Sequence, residues 1–225
     1  MGYDKLLNME IWYLGFGSFR IRTKKGIIIT DPYYDKKLNL KISWPKADLV
    51  VISQPDSLHN NSQVINGHPF VINAPGEYEI KEINILSIPS YREGGEGNDQ
   101  SNNTIHLIQA DGIKIGHLGQ LNHRLSKESL NELNSPDIIF VPLGKENGLM
   151  AKDAAEIIRR IGAKIIFPIH YIEESGNTAL DKIEPINKFL KEMGSTPKLE
   201  LKLVINKNDL LIDREKLVIL KSRAE

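Results

Sequence analysis

Short apolar runs that end abruptly on polar clusters are what most limits the folds open to this sequence. Leu49-Val50-Val51-Ile52 runs into Ser53-Gln54-Pro55-Asp56, Ile27-Ile28-Ile29-Thr30 into Asp31-Pro32, and Lys164-Ile165-Ile166-Phe167 into Pro168-Ile169-His170-Tyr171. A continuous β-branched run without polar alternation reads as a strand buried on both faces. The polar residues behind such a strand then sit in loops carried by a rigid scaffold, which is where function concentrates. Such strands need a covering layer on each side.

The rest of the chain supplies partners for those strands. Glu10–Leu14, Phe19–Thr23, Phe70–Ile72, Glu77–Ile80 and Ile83–Ile88 carry further strand signals, and Gly26 after Lys24-Lys25 reads as a turn into Ile27. Asp111-Gly112 between Ile105–Ala110 and Ile113–Leu118 predicts a tight hairpin. The period then changes. Met150, Ala154, Ile157, Ile158 and Ile161 fall at helical spacing, with Gly162 placed to close the helix. Ser126 predicts the cap of a shorter helix to Leu133, and Ile183–Met193 a third, closed by Gly194. Leu199–Ile205 and Leu217–Leu220 read as a last strand pair. The expectation is two mixed sheets packed together with helices outside.

Composition narrows the chemistry. The chain has 225 residues, six His and no Cys. Disulfides, thiolate nucleophiles and Cys-ligated zinc are therefore excluded, and any metal site must be built from His, carboxylate and amide groups. Lys and Arg total 29, as do Asp and Glu. That balance gives no reason to expect a nucleic-acid partner, which calls for clustered cations. No apolar run approaches the ~20 residues that span a bilayer, and no secretory leader is visible, so a cytoplasmic protein without a membrane partner is expected.

Several stretches, in this order, resemble one known family. They are Ile11-Trp12-Tyr13-Leu14-Gly15-Phe16-Gly17-Ser18-Phe19, Thr30-Asp31-Pro32, Ala47–Ser53, Pro75-Gly76-Glu77-Tyr78-Glu79, Asn103-Thr104-Ile105, Gly116-His117-Leu118-Gly119 and Pro168-Ile169-His170-Tyr171. Together they resemble the metallo-β-lactamase fold superfamily, in the branch of ascorbate-6-phosphate lactonase-like zinc-dependent hydrolases. The resemblance implies an α/β fold: a four-layer αββα sandwich with a metal site between the sheets at one edge. One domain is expected over residues 1–225, with 172–225 a helix and strand extension packed on the core.

The resemblance also implies a set of ligand slots, and here the sequence departs from it. The family's His-x-His-x-Asp-His loop is met by Gln54, Asp56, Leu58 and His59. The next His slot holds Arg92, and the bridging Asp slot holds Gln120. Of these slots, His59 and His170 alone keep the expected residue type. Asp31 matches a residue that braces the ligand loop, and equally suits a turn before Pro32. A two-metal site lowers the pKa of a bridging water and clamps the attacked group. Leu58 cannot ligate, the amides of Gln54 and Gln120 are poor zinc ligands, and Arg92 brings a permanent cation. No metal cofactor is therefore expected. Gln54, Asp56, His59, Arg92, Gln120 and His170 are read instead as a polar ligand-binding cleft, with a small anion beside Arg92 as its partner.

Other readings stay open. One divalent zinc or manganese ion held by His59 and His170 would allow hydrolysis of a phosphorylated or lactone-like metabolite, with His59 or Asp56 as a catalytic group. A structural or interaction role, including a homo-oligomer, is the third reading. His117 and His123 read as structural or surface residues, and His68 and His106 have no partner pattern. Gly94, Gly95 and Gly97, in the loop from Arg92 to Asn102, read as a cover over the cleft, because no Lys-Ser/Thr helix start follows them to make a phosphate loop.

Overall fold

Two sheets packed face to face account for most of the chain. This computed structural model describes residues 8–34, 41–56, 58–92, 101–144, 148–171, 186–211 and 215–224, with the side chains of Arg92 and Ser101 excepted. The first sheet contains β1 (Met9–Gly15), β2 (Ser18–Arg22), β3 (Ile27–Thr30), β4 (Leu49–Val51), β5 (Phe70–Ile72) and β13 (Leu203–Ile205). Their order across it is β13-β1-β2-β3-β4-β5. The second contains β6 (Gly76–Ile80), β7 (Ile83–Arg92), β8 (Ser101–Ala110), β9 (Ile113–His117), β10 (Ile138–Pro142), β11 (Ile165–Ile169) and β14 (Lys216–Leu217). Their order is β14-β11-β10-β9-β8-β7-β6. Both sheets are mixed, as expected. β3, β4 and β5 run parallel, as do β9, β10, β11 and β14, while the hairpins are antiparallel.

Alternation along each strand decides what faces what. Ile11, Tyr13, Phe19, Ile21, Ile28 and Val51 meet Ile85, Ile108, Ile115, Ile138, Phe140 and Phe167 between the sheets. The rings of Phe19 and Phe140 stack there at 4.2 Å. The other face of the second sheet, with Ile139, Val141 and Ile166, packs on α2 (Ala151–Ile161) and on Phe189 of α3 (Ile186–Met193). All five residues of β10 and of β11 are therefore buried, which is why those runs show no alternation. Part of the first sheet is likewise doubly covered. Ile29, Val50 and Ile52 pack beneath Ala47 and Ile65, with Ile42 and Trp44 beside them. Among the described residues the α-helices lie on the second sheet only, while the 3-10 turn Ser62–Val64 packs beside the first.

The local signals act where expected. Asp111 and Gly112 both take positive φ, 54° and 77°, in the β8–β9 hairpin. The Ser126 side chain accepts a hydrogen bond from Ser129 N–H at the start of α1 (Lys127–Glu132), and Gly162 closes α2 at φ 70°. The C-terminal residues do more than pair with each other. β12 (Leu199–Glu200) pairs with β15 (Ile219–Leu220), but β13 extends the first sheet beside β1 and β14 the second beside β11. The segment from 186 onward is thus woven into both sheets. The expected start of its helix at Ile183, and the loop glycines Gly94, Gly95 and Gly97, lie outside the described residues.

Candidate functional site

The ends of β3, β4, β9 and β11 converge at one edge of the sandwich, together with the β1–β2 turn. Each contributes a buried polar group: Asp31, Gln54 and His59, Gln120, and His170. Distances between them define the site. His59 Nδ1 lies 2.8 Å from Asp56 Oδ1. A carboxylate only accepts, so Nδ1 carries the proton and Nε2 presents a lone pair. That Nε2 is 2.9 Å from Gln120 Nε2, which donates to it, and 3.4 Å from His170 Nε2. Asp56 also accepts from Leu58 N–H at 2.8 Å, a local turn that sets the His59 ring. His59, Gln120 and His170 thus meet in the interior, with Asp56 orienting His59 from the surface.

Backbone strain and a missing side chain place His170. Its φ is 57°, in the region that favours glycine, and its N–H donates to Phe16 O at 3.1 Å. Gly17 gives its ring the space it occupies, since a Cβ there would lie 2.2 Å from His170 Nε2. The Phe16 ring packs 5.4 Å from His59 and 4.9 Å from His170, centroid to centroid. Burial, then the neighbouring His59 and His117, hold the His170 pKa well below the usual imidazole range. His170 is therefore neutral, and its Nδ1 is buried without a hydrogen-bond partner.

A second tier holds these residues in place. Asp31 accepts from Ser53 N–H and Oγ–H, both at 2.6 Å, which fixes the first residue after the β4 run. Asn103 accepts from Gln120 N–H at 2.9 Å and donates to Leu118 O at 3.1 Å, clamping the loop that carries Gln120. Two further imidazoles are built into this tier: His106, without a partner pattern in the sequence, and His117, read there as a structural or surface residue. His106 is fully buried and donates through Nε2 to Ile52 O at 3.0 Å. Its Nδ1 takes the Ser87 hydroxyl at 2.9 Å, and burial lowers its pKa to about 4. His117 accepts from Gly119 N–H at 3.1 Å and faces Asp31 at 3.6 Å. Burial outweighs Asp31 and lowers its pKa too. The signal available in the sequence was position: both lie on strands, where a histidine is flanked by apolar residues and must find its partners across the sheets. His123 stacks on Tyr91 at 4.3 Å, and His68 is exposed.

The structure brings Gln54, Asp56, His59, Gln120 and His170 to one edge. Gln54 is 3 % exposed and its Nε2 has no hydrogen-bond partner. Arg92 ends β7, its main chain opposite Ser101. Leu58 is half-buried beside His59.

Two sheets in this order, with a polar site at the edge where parallel strands end, define the metallo-β-lactamase fold. The chain belongs to this superfamily: residues 10–170 match the family model described as a β-lactamase superfamily domain. A protein of Bacillus thuringiensis (strain Al Hakam) named UPF0173 metal-dependent hydrolase is 23 % identical over 84 % of this chain and 99 % of its own. One of the same name from Thermococcus onnurineus is 24 % identical over 72 % of this chain and 84 % of its own. A Thermotoga maritima crystal structure, described as a Zn-dependent hydrolase of the metallo-β-lactamase superfamily, superposes with a TM-score of 0.78 at 25 % identity, over 96 % of this chain and 100 % of the other. Igni18, a metallo hydrolase from Ignicoccus hospitalis, shares the fold at a TM-score of 0.65 and 15 % identity, over 97 % of each chain.

Among the described residues no three His, Asp or Glu side chains gather in metal-holding range. A catalytic zinc takes about three protein ligands from imidazole and carboxylate. The cleft offers two imidazole nitrogens, and its amides are weak donors to zinc. No helix among the described residues is long and apolar enough to cross a membrane.

Proposed function

We propose that this chain uses the metallo-β-lactamase scaffold to bind a small ligand, without the two-metal hydrolytic step. The donor set carries this reading. His59 and His170 direct one ring nitrogen each, Nε2, toward the cleft, and Leu58 and Gln120 stand in slots where the family has carboxylates. The network also satisfies itself in part: Gln120 occupies the His59 lone pair at 2.9 Å. The ligand read for the cleft is a small anion, on the residue type of Arg92, the last residue of β7. Metal analysis of protein purified without added metal tests the reading. Well under a tenth of an equivalent is expected, and near-stoichiometric zinc or manganese overturns it. Arg92→Ala is expected to abolish retention of any co-purifying anion.

One observation favours a second reading. His59 Nε2 and His170 Nε2 face each other at 3.4 Å. Two imidazoles on one tetrahedral ion, at ~2.0–2.1 Å each, would stand about 3.3 Å apart. His59 and His170 would hold such an ion, with the Gln120 amide turned to present its oxygen and Asp56 fixing the His59 tautomer. A bound divalent ion supplies an acidified water. A melting temperature that climbs with added manganese or zinc would support this reading, because a ligand of the native state alone stabilises it.

A further inference from the structure

The register of the first sheet lays out a charged face on the outside of the sandwich. Residues directly opposite in an antiparallel pair share a face. Val204, Glu10 and Arg22 therefore form one row across β13, β1 and β2. Trp12 and Arg20 form the next, continued by Lys202 just before β13. Ile11, Tyr13, Phe19 and Ile21 point into the sandwich, so these two rows point out. Three cations gather on one ring. Arg20 Cζ lies 4.6 Å, Lys202 Nζ 5.0 Å and Arg223 Cζ 5.9 Å from the Trp12 centroid.

Among the described residues the charges on this face do not balance. Glu10 is its carboxylate, and it is already engaged by Arg22 at 3.0 Å and Lys202 at 2.8 Å. Among the described residues Arg20 and Arg223 make no ion pair, and Arg20 Nε is buried without a hydrogen-bond partner. Among the described residues four cations, Arg20, Arg22, Lys202 and Arg223, thus share this face with one acid, Glu10. Burial, then the charges of Arg22 and Arg223, lower the Arg20 pKa against the opposing pull of Glu10. The negative face of an indole attracts one cation. Further cations on the same ring add mutual repulsion that this face does not offset by itself.

We propose that this outer face of the first sheet, centred on Arg20, Lys202 and Arg223 around Trp12, docks an acidic segment of a partner protein. Charge complementarity selects the partner, and the guanidinium fork matches carboxylates in pairs. Among the described residues no helix covers the β13-β1-β2 part of this face, whereas the corresponding face of the second sheet is covered by α2 and α3. Its border carries exposed apolar side chains, Val204 on the edge strand at 44 % and Leu201 at 74 %, which suit a polypeptide. A nucleic-acid backbone wants a track of many phosphate contacts, while these cations converge on one ring.

The chain has two Trp, so Trp44→Phe leaves Trp12 as its own reporter. The probe is deca-glutamate, titrated at low salt by Trp12 fluorescence, with calorimetry on the unaltered chain as a second measurement. A saturable change is expected. Its Kd should rise at least tenfold in Arg20→Gln/Arg223→Gln and in 0.5 M salt, and fall in Glu10→Gln, which removes the competing carboxylate. No saturable binding by calorimetry, an unchanged Kd in the double variant, or tighter binding of a ten-nucleotide single strand than of deca-glutamate would each overturn the proposal.

Discussion

Single residues at the site act through space as much as through chemistry. Gly17 matters for what it lacks. A Cβ would collide with the His170 ring nitrogen at 2.2 Å, so Gly17→Ala should push that ring out of the cleft and cost about 1–3 kcal/mol in a urea melt, the usual range for overpacking. Imidazole NMR should show the His170 ring displaced and no longer adjacent to His59. Asp56 acts through His59. Asp56→Asn exchanges the acceptor that fixes the Nδ1–H tautomer for an amide able to present either end. The expected result is a mixed His59 tautomer by nitrogen NMR, with little change in melting temperature because Asp56 lies at the surface. If an ion binds, the same variant should weaken its affinity by roughly 10–100-fold. The sequence identified Asp56, His59, Gln120 and His170 as a set through their family slots. It could not identify Phe16, Gly17 or Asn103 as their supports, because packing partners from distant strands leave no local pattern.

Elements show a cleaner correspondence, since caps and turns are local. Gly162 has nothing within 4 Å of where a Cβ would stand, yet its φ is 70°. Gly162→Ala should therefore cost roughly 1 kcal/mol from backbone conformation alone. Ser126→Ala should cost a similar ~1 kcal/mol by removing the cap of α1. Chemical denaturation checks both, and their sum in the double variant should be additive because no shared partner couples them. Alternation was legible wherever one sheet face is exposed, and absent for β10 and β11, which are buried on both. The β6–β7 turn shows where local reading runs out. Lys81 and Glu82 both take positive φ without a glycine or asparagine to announce it. Register across the two sheets holds them there, with Lys81 bonded to Asp48 and Lys25 to Glu82 at 2.5 Å.

At the scale of the whole molecule, the buried histidines tie stability to pH. His106 has a folded pKa of about 4 against an ordinary value of 6.5, because burial in a dry interior penalises its charged form and His117 adds to that, outweighing Asp31 and the bond to Ile52 O. The unfolded chain then binds the extra proton first. The associated stability is complete above pH 6.5 and is lost as pH falls toward 4, by roughly 3 kcal/mol. His117 and His170 shift in the same direction and add to the loss. Urea midpoints measured from pH 7.5 to 4 should fall steeply below 6.5, and His106→Gln should flatten that slope. By itself the sequence determined most strands, the Ser126 and Gly162 caps, the Asp111-Gly112 hairpin and the order of the family's motifs, because each depends on neighbours along the chain. It also determined which slots hold residues other than the family's ligands, a matter of residue type alone. Only the tertiary structure decided that His59 and His170 face each other, that His106 and His117 are polar pins inside the sandwich, and that the last strands join both sheets. Those outcomes rest on contacts between residues far apart in the chain, whose geometry is fixed when the sheets pack and not before.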